Sequence, residues 1–244
     1  MNIQSNFHKV PHISLVQDRL EFVNIIMELR NVIFNPLKTR QTSNDGWTHS
    51  WLYFDALQNY LLLTCFDLLG QPGEFLDFGN WLESSEHQSE FEKAMAATTG
   101  ESDLKKRMKE IHSWYLTNNG VKRSFNRFIF EVLTEEARRD LFFNIHVNQI
   151  DPSDHRVLKE IDDQQKKADF LFWIRNAYTH SAMNSGSPAG GVFKDFYEPV
   201  VIAGKPMKGY VSIALRTIRN KHYDISTRDW PFALIRAVNA GMAT

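Results

Sequence analysis

Three polar residues that lie close together could do chemistry: Arg175, Asn176 and His180, which follow the apolar run 170–174. Histidine titrates nearest to neutral pH and can take or give a proton. The arginine guanidinium is planar, stays charged and presents a fork of donors to phosphate oxygens. Cleaving RNA without a metal needs these two groups, a base for the 2′-hydroxyl and donors for the phosphate. The asparagine amide would position the histidine or the ribose.

The spacing of the three residues predicts an incomplete site in a single chain. On a helix, Asn176 and His180 are four residues apart and share a face. Arg175 is five residues from His180, about 140° around the helix, and must reach back with its long side chain. Two copies of the three residues facing each other across a dimer axis would make a compact site.

An arginine followed by a histidine after four to six intervening residues occurs four times in the chain. The other three pairs are Arg107 with His112, Arg139 with His146, and Arg216 with His222. Arg175 is preferred because it is the only one of the four followed by Asn, and because an aromatic run precedes it. The small residues Ser181 and Ala182 also leave space beside His180. Arg139 is the second choice.

The elements that must hold these residues are predicted to be mostly helical. Apolar residues recur every three or four positions over much of the chain, which is typical of helices that bury one face. The predicted helices cover residues 14–34, 49–69, 74–83, 89–97, 101–116, 124–133, 134–146 and about 154–183. The last of these carries Arg175, Asn176 and His180.

The character of the sequence changes after residue 191. Two β-branched runs around a Gly-Lys-Pro turn predict a β-hairpin over about 192–215. Thr227 is the predicted cap of a final helix over about 227–241. We expect one mostly α domain over residues 1–244, with a small C-terminal β-hairpin and a terminal helix.

Composition limits the other classes of function. The chain has 244 residues, of which 43 % are hydrophobic, so it can bury a sizeable core. Its only cysteine, Cys65, excludes an intrachain disulfide and is expected to be a small buried residue rather than a catalytic thiol. The apolar run 56–66 is much shorter than the roughly 18 residues that a membrane-spanning helix needs. No signal peptide is recognisable. A cytoplasmic protein is expected.

No metal or cofactor site is predicted. His8 and His12 have a metal-like spacing, but Pro11 lies between them and no third ligand is obvious. The glycine-rich segment 186–191 lacks the lysine and the strand-before-helix context of a phosphate-binding loop.

Charge is segregated along the chain although the net charge is −1. Residues 41–92 contain nine acids and no Lys or Arg, whereas residues 194–236 contain eight basic residues and four acids. The basic region could form a face that attracts phosphate. Alternatively, the two regions pair with each other. The sequence leaves both open.

The motif and the helices around it resemble the HEPN superfamily (higher eukaryotes and prokaryotes nucleotide-binding domains). The family signature is Arg and His separated by four to six residues, commonly with a polar residue, often Asn, directly after the Arg. The matching segment here is Arg175-Asn176-Ala177-Tyr178-Thr179-His180. Neither the acidic N-terminal third nor the β-appendage matches a particular member.

The resemblance implies a metal-independent endoribonuclease of a toxin–antitoxin or antiviral defence system. Such a protein would be a homodimer with a composite Arg/Asn/His site, would cut tRNA or other single-stranded RNA, and could be held by an antitoxin or other regulatory protein. One subclass carries a modified Tyr two residues after the His, where this chain has Ala182. The alternatives are a catalytically silent helical module that binds nucleotide, nucleic acid or protein, and a purely structural helical protein.

Overall fold

The structure, a computed structural model, is mostly helical, which confirms the predicted fold class. It describes residues 12–34, 48–73, 77–154, 156–180, 200–202, 205–207, 213–218, 220–227, 229 and 231–244. The α-helices are α1 (Ile13–Phe34), α2 (Thr48–Leu69), α3 (Phe78–Glu83), α4 (Gln88–Ala97), α5 (Leu104–Asn119), α6 (Val121–Arg127), α7 (Glu135–Phe143), α8 (Gln164–His180) and α9 (Phe232–Met242). The strands are β1 (Ile145–Ile150), β2 (Val157–Glu160), β3 (Val200–Ile202), β4 (Lys205–Met207), β5 (Ile213–Ile218) and β6 (Lys221–Thr227). None of the described helices has both the length and the apolar character that crossing a membrane requires.

Helix α2 lies at the centre of the main hydrophobic core. Every side chain from residue 57 to residue 69 is buried or half-buried, as expected of a helix that is apolar all round. Helices α1, α6, α8 and α9 all pack on it. The ring centroid of Phe66 lies 4.5 Å from that of Phe128 and 5.3 Å from that of Phe125. Helix α2 is therefore a fixed support for α8.

A glycine allows the end of α2 to approach the next layer closely. A Cβ atom on Gly70 would overlap the backbone carbonyl of Ser124 on α6. Helix α6 continues into a π-helical segment, Phe128–Val132, whose residues Phe128 and Ile129 are fully buried. Gly70 is thus required by the contact between α2 and α6.

A second, smaller hydrophobic cluster is formed by α3, α4 and α5. Its buried members are Trp81, Ala94, Ile111 and Tyr115. The indole nitrogen of Trp81 donates to Glu90 at 3.2 Å, so its polar atom is satisfied inside the cluster. The start of the helix predicted over 74–83 lies outside the described residues, and α3 begins at Phe78.

Four strands form one antiparallel sheet in the order β2-β1-β6-β5. The central pair joins distant parts of the chain, with Ile145 opposite Thr227 and Ile150 opposite His222. Strand β1 buries Ile145, Val147 and Ile150. Strands β3 and β4 form a separate antiparallel hairpin.

The predicted helix boundaries between residues 134 and 163 are wrong. The first of these helices is capped by Thr134, as predicted, whose side chain accepts from the amide of Ala137 at 3.3 Å. It ends at Phe143, however, because the following residues are buried in alternation, which is the period of a strand. Residues 154–163, predicted to begin the motif helix, instead contain β2.

Helix α8 begins ten residues later than predicted, at Gln164. The side chain of Asp163 accepts from the amide of Lys166 at 2.8 Å and satisfies one of the free donors of the first turn. The charged residues Lys159 and Glu160, which precede α8, lie in the edge strand β2 and are exposed. The predicted continuation to residue 183 lies outside the described residues.

The C-terminal part contains more β-structure than predicted. A hairpin, β3 and β4, lies within the predicted range, but β4 covers Lys205–Met207, where the Gly-Lys-Pro turn was predicted, and the second predicted run continues into β5. Residues 192–199, 203–204 and 208–212 lie outside the described residues. The second hairpin, β5 and β6, was missed, and its turn places Asn220 in the left-handed region with φ 63°. Thr227 is the buried last residue of β6 and not a helix cap, because α9 begins only at Phe232, after Pro231.

Candidate functional site

Arg175 lies on α8, where that helix packs against α2, and forms an ion pair with Asp67. Its Nε donates to Oδ2 of Asp67 at 3.0 Å, and its Nη2 lies 2.9 Å from the same oxygen. The Arg175 side chain is 16 % exposed and that of Asp67 only 7 %. The guanidinium is therefore held in one orientation at the edge of the core.

Asn176 takes part in the same group of contacts. Its Oδ1 accepts from Nη1 of Arg175 at 3.0 Å. The ring of Tyr60 on α2 lies below the guanidinium, with Cζ of Arg175 6.0 Å from the ring centroid, which is the outer limit of a cation–π contact. Two helices thus fix the arginine head group from three sides.

Burial makes Asp67 an unusual partner for an arginine. It raises the pKa of Asp67 from 3.8 to about 7, although Arg175 and Arg19 both act to lower it. Among the described residues, no donor reaches its second oxygen, Oδ1. A carboxylate with one oxygen desolvated and unpaired is costly to keep charged, so Asp67 can take up a proton near neutral pH.

Arg19 on α1 brings a second cation close to this pair. It lies beside Cys65 and Asp67 and acts to lower the pKa of both. Cys65 is fully buried, and burial raises the pKa of its thiol to about 12, so it stays protonated. Its Sγ donates to the carbonyl of Leu61 at 3.3 Å. The thiol is chemically inert at neutral pH.

His180 lies on the same helix as Arg175 and Asn176, and α8 is continuous between them. The backbone therefore places His180 one turn beyond Asn176. The side chain of His180 lies outside the described part of the structure, as do Ser181 and Ala182. The structure brings Arg175 and Asn176 into contact and adds Asp67 and Tyr60 to them.

Two of the competing Arg–His pairs have other surroundings. Arg107 donates to the hydroxyl of Thr98, and the ring of His112 lies 4.7 Å from that of Phe78, so both belong to the second cluster. Arg139 pairs with Glu135 on the exposed side of α7, whereas His146 lies on β1. For Arg216 and His222, the backbone lies on the adjacent strands β5 and β6.

The sequence analysis missed Asp67, Tyr60 and Arg19. Asp67 did carry a signal, since it is the only charged residue between residues 56 and 73, in a helix otherwise suited to the core. A charge inside such a helix needs a partner. No signal in the sequence pointed to Arg175 as that partner.

Among the described side chains, the ion pairs of Arg236 do not join the basic region to the acidic region. Arg236 on α9 contacts Asp140 on α7 at 2.8 Å and Asp229 at 2.5 Å. Neither acid belongs to the acidic region 41–92. Side chains of residues 200–219 lie outside the described part, so a basic face there stays a prediction. Within the described residues, no group of three or more His, Cys, Asp or Glu side chains could hold a metal ion.

Comparison of the chain with protein-family models, with curated proteins and with solved structures gave no match.

Proposed function

We propose that the protein is a metal-independent endoribonuclease that resembles HEPN toxins and antiviral effectors and works as a homodimer. Arg175 binds the scissile phosphate, His180 moves the proton, and Asn176 positions the histidine or the ribose. The observation that supports this best is the orientation of Arg175, whose guanidinium is fixed by Asp67 and Asn176 on the helix that also carries His180.

The reaction needs only groups that such a site supplies. The 2′-oxygen of a ribose attacks the adjacent phosphorus as His180 takes its proton. The bond from phosphorus to the 5′-oxygen breaks, and the leaving oxygen accepts a proton from the protonated imidazole of the second copy. The products are a 2′,3′-cyclic phosphate and a 5′-hydroxyl. Arg175 stabilises the negative charge that develops on the phosphate oxygens.

Asp67 sets how Arg175 is presented to the phosphate. A charged carboxylate both orients the guanidinium and competes with phosphate for it. Protonation of Asp67, whose pKa is about 7, would weaken that competition and leave Arg175 with more positive charge to offer. The side chain of Arg175 keeps 16 % of its surface exposed.

The second candidate is a silent helical module that binds a nucleotide, a nucleic acid or a protein partner. The same ion pair favours it, because Arg175 is satisfied within one subunit by Asp67. An arginine that holds two helices together needs no substrate. Activity, rather than geometry, separates the two candidates.

The deciding experiment is cleavage of tRNA and of a generic single-stranded RNA in EDTA. Wild type is compared with Arg175→Ala and His180→Ala, and Arg139→Ala is the control because Arg139 lies on the exposed side of α7. The proposal expects 2′,3′-cyclic phosphate ends from wild type and the control. It expects at least a hundredfold slower cleavage from the two site variants.

Equal inactivity of all four proteins would favour the silent module, and RNA or nucleotide binding by the same proteins would then identify its ligand. Expression in a bacterial host tests the proposed defence role. A toxin of this kind would arrest growth as wild type and not as His180→Ala. An antitoxin or other regulator would relieve the arrest when co-expressed.

A further inference from the structure

Helix α1 carries apolar residues on two of its faces. Val16, Val23 and Ile26 point inward and are buried in the main core. On the outward side, four large apolar side chains are 43 to 49 % exposed. They are Leu15, Phe22, Ile25 and Leu29. A surface helix normally presents polar residues on this side, so within the described part of the chain these residues form an unpartnered apolar face.

The spacing of these residues makes the face continuous. Leu15, Phe22 and Leu29 are seven residues apart and lie in one row along the helix, with Ile25 beside them. The exposed acids Asp18, Glu21 and Glu28 accompany the row. We call these seven residues the acidic face of α1.

A second α1 does not fit the acidic face. Pairing α1 with its own copy would bring the acids of both helices together, and like charges across an interface are costly. The occupant must therefore combine apolar side chains with positive charge. Such an occupant is available on the surface of the same chain.

Helix α5 has this combination. Its residues Ile111 and Tyr115 are buried in the second cluster, whereas Leu104, Met108 and Leu116 are 73, 41 and 49 % exposed. Spacings of four and eight residues place these three in a row that winds about 120° around the helix. The exposed Lys105 and Lys109 lie alongside. We call these five residues the basic face of α5.

We propose that two copies of this chain associate by docking the basic face of α5 in one copy on the acidic face of α1 in the other. The apolar rows supply the buried area, and Lys105 and Lys109 meet the acids of α1. The interface is formed by α1 and α5 and does not include the motif on α8, so it rests on the proposed function only in expecting a dimer. Helix α1 packs directly on α2, which carries Asp67.

Charge reversal with rescue tests the pairing. The oligomeric state is measured by sedimentation at micromolar concentration without RNA, for wild type, Glu21→Lys with Glu28→Lys, and Lys105→Glu with Lys109→Glu. Wild type is expected to be a dimer, and each double variant to dissociate with a Kd raised at least about tenfold. An equimolar mixture of the two variants is expected to dimerise again, because each altered face then meets an opposite charge.

Matched controls separate these faces from general charge effects. Glu83→Lys with Glu86→Lys, and Lys93→Glu with Lys166→Glu, reverse exposed charges elsewhere and should leave the dimer unchanged. Phe22→Ser removes the centre of the apolar row without changing charge and should also dissociate the dimer. Circular dichroism and thermal unfolding show that each variant is folded.

Three results would overturn the proposal. They are a wild type that stays monomeric, a dimer that neither reversal affects, and a mixture that fails to reassociate. If wild type is monomeric and binds another protein through α1, the acidic face is the binding surface for that protein and not a dimer interface. Because the oligomeric state is measured without RNA, the dimer and the nuclease are tested separately. An inactive dimer would support the interface and contradict the nuclease, whereas an active monomer would support the nuclease and contradict the interface.

Discussion

Asp67 and Arg175 are 108 residues apart in the sequence and meet at the edge of the core, with 2.9 Å between Oδ2 and Nη2. The pair connects α2 to α8 and fixes the guanidinium that we propose binds phosphate. The charge of Arg19 also acts on the same carboxyl group and lowers its pKa. Stability and site geometry are therefore coupled at Asp67.

Replacing Arg175 by Met removes the charge and keeps much of the length of the side chain. Asp67 then loses its closest cation. Removing one partner of a buried ion pair costs about 3–5 kcal/mol when the other must stay charged. Asp67 can escape this cost by taking a proton, so we expect a loss near that range at pH 8 and a clearly smaller loss at pH 5. Urea unfolding at the two pH values checks this, and equal losses would contradict it.

Asp67→Asn tests the titration of the buried carboxyl group itself. The pKa is raised from 3.8 in the unfolded chain to about 7 in the folded one. Between these values the folded state holds a proton that the unfolded state has lost, so rising pH lowers the free energy of unfolding of wild type. Asparagine does not titrate. We expect the stability of wild type relative to the variant to fall from pH 4 to pH 7.

Above pH 7 the carboxyl group is charged in both states, and the difference between the two proteins should become constant. Urea unfolding of both proteins across this range provides the measurement, and the other titrating groups cancel in the comparison. A difference that does not vary with pH, or that rises, would show that burial does not raise this pKa.

Gly70→Ala tests the close contact between α2 and α6. The added methyl group would overlap the carbonyl of Ser124, which belongs to the backbone and cannot rotate away. We expect a loss of about 3 kcal/mol or more in the free energy of unfolding, since overpacking a tight contact shifts the backbone. Gly73→Ala is the matched control, because nothing lies within 4 Å of the added carbon. Similar losses in both variants would be inconsistent with this contact.

Thr134→Ala removes the cap of α7. The threonine hydroxyl accepts from the amide of Ala137 at 3.3 Å, and the variant leaves that donor to water. We expect a loss of about 1 kcal/mol in the free energy of unfolding. Thr117→Ala, in the exposed last turn of α5, should change it by less than about 0.5 kcal/mol. Thermal unfolding of the two variants measures the difference, and equal values would argue against the cap.

The helices that bury one face were predictable because their apolar spacing is regular over several turns. Helices α1 and α2 begin within one residue of their predicted starts and end where predicted. Strand β1 was missed because its partner β6 is far away in the sequence. Strand β2 pairs with the nearby β1 and is exposed throughout, so no apolar alternation marked it. In the sequence, apolar Ile145 and Val147 alternate with polar residues, which is typical of a strand, but this short run was assigned to the helix before it.

The candidate site was predictable only in its local part. The contact of Arg175 with Asn176 follows from adjacent positions on one helix. The contact with Asp67 depends on how α2 and α8 pack, and no spacing along the chain encodes that packing. A single charged residue in an otherwise apolar helix indicates that it has a partner of opposite charge. The choice between Arg19, Arg175 and any other cation needs the three-dimensional structure.

During synthesis, β1 leaves the ribosome long before β6 exists. Until then one edge of β1 has only solvent beside it, and the place in the core that Ala233, Leu234 and Val238 of α9 will fill is open. Unpaired edges and exposed apolar surfaces are what chaperones bind and what aggregation starts from. A ribosome stalled before β6 would thus carry a polypeptide that cannot finish folding, whatever the stability of its helices.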